Sequence, residues 1–322
     1  MSSRTRRLYE LVANQELVVK NVGTISIGIP FFNARRTIAD AVRSVFAQSY
    51  SDWELILIDD GSSDGSSDIV RQINDPRVHV ISNSVNCGLS KRLNQIATLA
   101  QGKYLARMDA DDLMHPERIA RQCAFLEENP HIDVIDTATY TMDDDLTLLG
   151  IRGDRPLDCR PETILRNGLL LHPTIMARTD WFRKNPYDGV YVRAEDRELW
   201  CRTCASTQFA RLCEPLFFYR EGLAGNLRNY LRTAATIRKI LRYYGPSLIG
   251  SWRTTLLVGQ VSLRSIVYRA GTALGMQDRI IQRRNRTLSD EEQQTARAIL
   301  AEILTITVPG LASERICEDA LS

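Results

Sequence analysis

Apolar runs of strand length alternate with amphipathic stretches of helical length through the first third of this chain. That alternation limits the possible folds more than any other feature. Residues 25–29, 54–58, 78–81 and 104–108 read as strands, with Pro30 expected to stop the first because it has no N–H for a ladder. Between them, Ile38, Ala41, Val42, Val45 and Phe46 recur at helical spacing, and residues 67–73 and 89–100 read as further helices. Strand–helix–strand units of this length pack as an α/β fold with a mostly parallel sheet. Ligands of such sheets bind beyond the carboxyl ends of the strands. Residues 30–33, 59–62 and 109–112 each follow a strand, and so should form one site.

Past Asp133 the pattern loosens. Residues 134–138 read as a strand, Asp143-Asp144-Asp145 as a hairpin tip, and 161–167 as a helix. His172-Pro173-Thr174 then leads into a strand at 175–177. Helical patterns dominate from Asn226, and Ser289 with Glu292 forms a capping box for a last helix running to Ile303. Three units are expected: a helical extension at 1–23 with Leu8, Leu11 and Val12 on one face, a catalytic domain at 24–224, and a basic helical region at 225–322. No stretch reaches the ~20 apolar residues of a membrane span. The basic N-terminus (Arg4, Arg6, Arg7) lacks the apolar core of a signal peptide, so a cytoplasmic protein is expected. The seven cysteines fit that compartment as reduced thiols, since Cys201-x-x-Cys204 has no second ligand pair to make a zinc site.

Three constellations carry chemistry. Asp109-Ala110-Asp111-Asp112 ends a strand, where carboxylates two apart can converge on one hard cation, magnesium or manganese, shared with substrate phosphates. Asp59-Asp60-Gly61-Ser62 follows another strand and offers carboxylates to a nucleobase edge or ribose, with Phe32 as a flat face for a base and Phe31 assigned to the core. Glu195-Asp196 opens a helix and can supply a general base to an acceptor hydroxyl.

In this order the residues resemble glycosyltransferase family 2. The resemblance rests on Ile29-Pro30-Phe31-Phe32-Asn33, residues 44–50, residues 53–62, Asn86-Cys87-Gly88-Leu89, Asn94, Gly102-Lys103-Tyr104, the acidic run from Asp109, His172-Pro173-Thr174 and Glu195-Asp196. It implies a GT-A type nucleotide-binding α/β/α sandwich and an inverting transferase that takes a sugar from a nucleotide-diphosphate donor, a UDP-sugar. By position Pro30, Phe32, Asn33, Asp60, Asp109 and Ala110 match donor-binding residues, and Asp109 and Asp111 match the D-x-D that holds Mn2+ or Mg2+. Asp112 is open as an alternative ligand. Asp196 matches the catalytic base, with Glu195 beside it as the rival expected to point elsewhere. A single displacement needs one such carboxylate, where a retaining glycosidase uses two.

Processive members of the family carry a Q-x-x-R-W type motif. Here Arg197-Glu198-Leu199-Trp200 follows the acids instead, which favours transfer of one sugar to a glycan or lipid-linked acceptor. A polyprenyl-phosphate sugar synthase and a silent nucleotide-binding scaffold are the competing readings. A dinucleotide dehydrogenase is excluded, because no G-x-G-x-x-G follows the first strand. Residues 225–286 hold twelve basic residues against Asp278 alone. With Leu256, Leu263, Val267 and Leu274 on one helical face, the region reads either as a peripheral anchor for an anionic membrane surface or as a cap on the catalytic domain. No nucleic-acid motif accompanies the charge.

Overall fold

A computed structural model describes residues 23–221, 227–273 and 285–311, so the helix expected before residue 23 lies outside the described residues. Strands β1 (Ile25–Phe31) and β2 (Trp53–Asp59) are buried along their whole length, as strands covered on both faces must be. On one face Ile25, Ile27, Ile29, Leu55 and Leu57 pack with Ile38, Ala41, Val42 and Val45 of helix α1 (Ile38–Phe46). Helix α2 is Ser66–Arg71. On the other face Ile56 and Ile58 meet Leu93, Ile96 and Ala97 of α3 (Leu89–Leu99). Gly28 permits that approach, because a methyl group there would collide with Ile96.

Pro30 does not end β1, which runs on to Phe31. The ladder with β4 (Tyr104–Arg107) already stops at Gly28, so no donor is needed where proline lacks one. With β3 (Val78–Ser82), the order β3-β2-β1-β4 is all parallel, as expected. Helix α4 (Arg118–Glu128) follows the short β5 (Leu113–Met114).

The sheet then changes character. It continues through β8 (Met176–Arg178), β6 (Val134–Met142), β9 (Phe209–Arg220) and β5, with β7 (Leu148–Arg152) paired to β6 around the hairpin tip at 143–147. The β4–β8, β6–β8 and β5–β9 pairs are antiparallel. "Mostly parallel" therefore holds for half of a mixed sheet. The twelve-residue β9 has no counterpart among the predicted strands. Pro215 and the register shift beside it break the alternation that would have revealed it.

Helices α5 (Pro161–Asn167), α6 (Thr179–Lys184) and α7 (Glu195–Thr203) complete the region before residue 222. The boundary expected at 224–225 falls among residues outside the described ones. The C-terminal region is helical but divides. Helices α8 (Leu227–Ile249) and α9 (Ser251–Ala273) form a hairpin turned at Gly250, whose φ of 86° suits glycine. Ile240 and Leu241 of α8 pack with Ile164, Leu165, Leu199 and Trp200. Helix α10 (Asp290–Thr305), capped by Ser289 and Glu292 as expected, instead places Ala296, Leu300 and Ile303 with Leu113, Tyr140 and Phe218.

Candidate active site

The turns after β1 and β2 are stitched together by their polar side chains. Asn33, at φ 51°, donates its N–H to Ser62 Oγ at 2.9 Å, and its Oδ1 accepts the Ser63 N–H at 2.9 Å. Asp59 closes its own turn by accepting the Ser62 N–H at 2.8 Å. Phe31 is buried and Phe32 is 48% exposed, so Phe32 is the ring available to a planar ligand. A cleft of about 600 Å3 is lined by Pro30, Phe32, Asn33, Asp109, Ala110 and Asp111, together with Arg220. The turns at 30–33 and 109–111 thus meet in one cleft, whereas none of residues 59–62 lines it and that turn reaches it through the bonds of Ser62 and Ser63 to Asn33.

Asp60 does not line this cleft. Its carboxylate accepts the Cys87 and Gly88 N–H groups, each at 2.8 Å, and Arg92 Nε at 2.6 Å. A buried carboxylate needs such donors, and the protein supplies them. Asp60 therefore holds the 87–88 turn in place. Replacing Asp60 by Asn is expected to raise KM for a nucleotide sugar about tenfold with kcat nearly kept, since loop position affects ground and transition states alike. Initial-rate kinetics checks this, and a loss confined to kcat would contradict it.

Beyond β4, one ligand oxygen from each of Asp109, Asp111 and Asp112 lies within 4.8 Å of the others. Asp109 is paired with Arg107 Nη2. Asp112 is buried; its Oδ1 accepts the Arg220 N–H at 2.7 Å and its Oδ2 has no partner. Asp111 is exposed on the cleft wall. Burial and the charges of Asp111 and Asp109 hold the Asp112 carboxyl well above the usual range. Although the side chain is exposed at the cleft, the protein packed around the turn desolvates the Asp111 carboxylate, and with the charge of Asp109 pushes its pKa up to about 6. An all-carboxylate set with an orphaned buried oxygen suits a hard divalent cation, which would relieve this crowding. Protons compete with the cation once a ligand carboxylate begins to protonate. Mn2+ affinity, measured by titration, should therefore weaken as pH falls through about 6. A flat profile would count against the assignment.

A second cavity, about 490 Å3, lies on the other side of Asp109 and is lined by Gly88, Arg107, His172, Arg193, Glu195, Asp196 and Tyr219. Helix α7 meets this cavity at its N-terminal end, so its first two side chains both reach it. Glu195 was expected to point away; it lines the same cavity as Asp196. At a helix terminus the difference in azimuth does not separate neighbours. Burial raises the carboxyl pKa of both, with Asp196 and Asp109 adding to the effect at Glu195. His172 is half-buried, its ring nitrogen 2.9 Å from the Tyr187 hydroxyl, and desolvation with the charge of Arg107 holds its pKa well below the ordinary value.

Arg107 and Arg220 were not singled out in the sequence. Arg107 is almost fully buried behind Asp109 and lines the second cavity, where a cation inside an apolar strand was the available signal. Arg220 donates Nε to the Asp111 carbonyl at 2.8 Å and Nη1 to the Asp144 carbonyl at 2.6 Å, tying the acidic turn to the β6–β7 tip. No local pattern marks it, because it lies at the end of the unpredicted β9. Among the described residues, no helix is long and apolar enough to cross a membrane.

Comparison with known proteins agrees with this layout. The chain is 38% identical over 216 residues to EpsE of Bacillus subtilis, named as a glycosyltransferase, covering 64% of this chain and 71% of that protein. It is 28% identical over 179 residues, 55% of this chain and 68% of the relative, to the UDP-Glc:alpha-D-GlcNAc-diphosphoundecaprenol beta-1,3-glucosyltransferase WfgD of Escherichia coli. Among solved structures, the mannosyltransferase PcManGT of Pyrobaculum calidifontis, in complex with GDP-Man and Mn2+, superposes with a TM-score of 0.54 at 13% identity. That superposition covers 94% of this chain and 92% of the other, so the shared fold extends beyond the catalytic core. The profile of glycosyl transferase family 2 matches residues 26–191. With the GT-A type fold, the acidic turn and the paired cavities in place, this chain is a glycosyltransferase and belongs to glycosyl transferase family 2.

Proposed function

We propose that the enzyme moves one sugar from a nucleotide-diphosphate donor, a UDP-sugar, to a hydroxyl of a glycan or lipid-linked acceptor, with inversion at the anomeric carbon. The observation that carries this reading is the shared position of Asp109. It lines both the cleft lined by Phe32 and Asn33 and the cavity lined by Asp196. A donor spanning the two has its nucleotide on one side and its sugar facing the base on the other. WfgD, whose name states a UDP-glucose donor and a lipid-linked acceptor, and the GDP-Man complex of PcManGT support the substrate classes.

Asp196 takes the proton of the acceptor hydroxyl, whose oxygen attacks the anomeric carbon as the bond to the nucleoside diphosphate breaks. Asp109 and Asp111, with Asp112 behind them, would hold a divalent cation, Mn2+ or Mg2+. A bound cation neutralises charge on a leaving diphosphate. Arg107 and Arg220 hold the acidic turn. The three carboxylates of the second cavity, Asp109, Glu195 and Asp196, outnumber its two arginines, Arg107 and Arg193, which favours a hydroxyl acceptor over a polyprenyl phosphate. On this reading the enzyme works peripherally at the cytoplasmic face of a membrane, which the excess of basic residues in 225–286 supports.

A panel of nucleotide sugars with Mn2+, scored by thermal shift and slow donor hydrolysis, tests the reading. A UDP-sugar should give both signals. A panel that stabilises the protein with no hydrolysis or transfer would leave a silent binding scaffold.

A further inference from the structure

Helix α9 presents its apolar face to solvent. Trp252 (71%), Leu256 (46%), Leu263 (61%), Ile266 (64%) and Val267 (57%) are exposed, whereas Thr254, Leu257, Ser265 and Tyr268 on the opposite side are buried. At about 100° per residue the exposed five span an arc of about 100°. Arg253 and Arg264 border that arc on one edge and Arg269 on the other, all exposed. The face expected from sequence at Leu256, Leu263 and Val267 is thus not core; Leu274 lies outside the described residues.

Two properties select the occupant of this face. Residues 227–273 contain eight basic residues and no acidic one. A second copy docking the same face would set arginine against arginine with only Glu162, 3.9 Å from Arg253, to offset them. An anionic lipid surface takes both features, with the apolar arc among the acyl chains and the arginines among the headgroup phosphates. We propose that α9 lies in the headgroup plane of an anionic bilayer through Trp252, Leu256, Leu263, Ile266 and Val267.

The inference deepens the peripheral placement argued above, and α8 gives it a bearing on the acceptor side. Thr236 on α8 donates to the Val192 carbonyl at 3.0 Å, and Tyr244 donates to Glu198 of α7 at 2.5 Å. Helix α8, the hairpin partner of the docking helix α9, therefore also holds the rim of the cavity containing Asp196. Vesicle binding itself needs neither donor nor cation, so its failure and a failure of the transferase reading are separable.

The test uses the full chain with vesicles of phosphatidylglycerol and phosphatidylcholine in equal parts, or of phosphatidylcholine alone. Trp252 is a built-in reporter, because Trp53, Trp181 and Trp200 are buried. The anionic vesicles should co-sediment the protein and shift its tryptophan emission to the blue, with binding to the neutral ones about tenfold weaker or less. The double variant Leu263→Glu/Ile266→Glu should lose about tenfold or more in binding while keeping its melting temperature and its response to nucleotide sugar. The proposal is overturned if the wild type ignores anionic vesicles or the variant binds them equally well. It is overturned too if the variant's effect is to split a dimer that shows no lipid binding.

Discussion

Asp111→Asn leaves a folded protein with no metal-dependent turnover, a loss of about 10³-fold or more. The substitution keeps the shape of the side chain and removes its charge, and a hard divalent cation is held by charged oxygen ligands. The neighbouring acids have other commitments, since Asp109 pairs with Arg107 and Asp112 gives an oxygen to the Arg220 N–H. Asp111 faces the open cleft. Because it is exposed and crowded by like charges, its loss should leave the melting temperature unchanged or slightly higher. Rates with and without added Mn2+, beside a chelator control on the wild type, decide the matter. Full activity of the variant, or a wild type indifferent to the chelator, would remove the cation from the mechanism.

The second large effect concerns the base. Asp196→Asn keeps its place in the cavity but cannot take a proton, so kcat should fall about 10²-fold or more with donor affinity nearly unchanged. The carboxyl pKa of Asp196 is raised by burial. Wild-type rate should therefore decline as pH falls and the base protonates, and the residual rate of the variant should lack that acid limb. Glu195 lines the same cavity and is also raised, so Glu195→Gln must be measured alongside. A dead Glu195→Gln with an active Asp196→Asn would transfer the role to the neighbour. Full activity in both would reject single displacement with a carboxylate base, and a polyprenyl phosphate would become the better acceptor.

The sequence made the parallel half legible because β1, β2 and β4 are buried on both faces and β1, β2 and β3 are each followed by a helix. Ile25 to Ile29 and Leu55 to Ile58 carry that signal without interruption. The acidic turn and the Asn33 loop were legible for the same reason, since strand ends in such a sheet lie side by side. The antiparallel half was less so. Phe209–Arg220 contains a proline, several polar residues and a bulge, and its place beside β6 rests on contacts across some seventy residues of chain. With β9 hidden, Arg220 was hidden as well. The partners of Asp60 were hidden for a different reason: Cys87, Gly88 and Arg92 sit on a turn and helix whose approach no local pattern reports. Glu195 shows the limit of a helical-wheel argument at a helix end.

The link from Arg220 back to the acidic turn has a consequence for the order of assembly. Asp109, Asp111 and Asp112 leave the ribosome with the parallel half, but the N–H that takes up Asp112 and the guanidinium that grips the Asp111 carbonyl belong to a residue made 108 positions after Asp112. Until β9 inserts beside β6 and β5, three carboxylates stand together with that restraint missing. A nascent chain ending before Arg220 should form its first four strands yet bind manganese weakly, and affinity should appear only when the last strand closes the sheet. Cation and nucleotide sugar, by binding the completed turn, would in the same measure hold β9 in place against local unfolding.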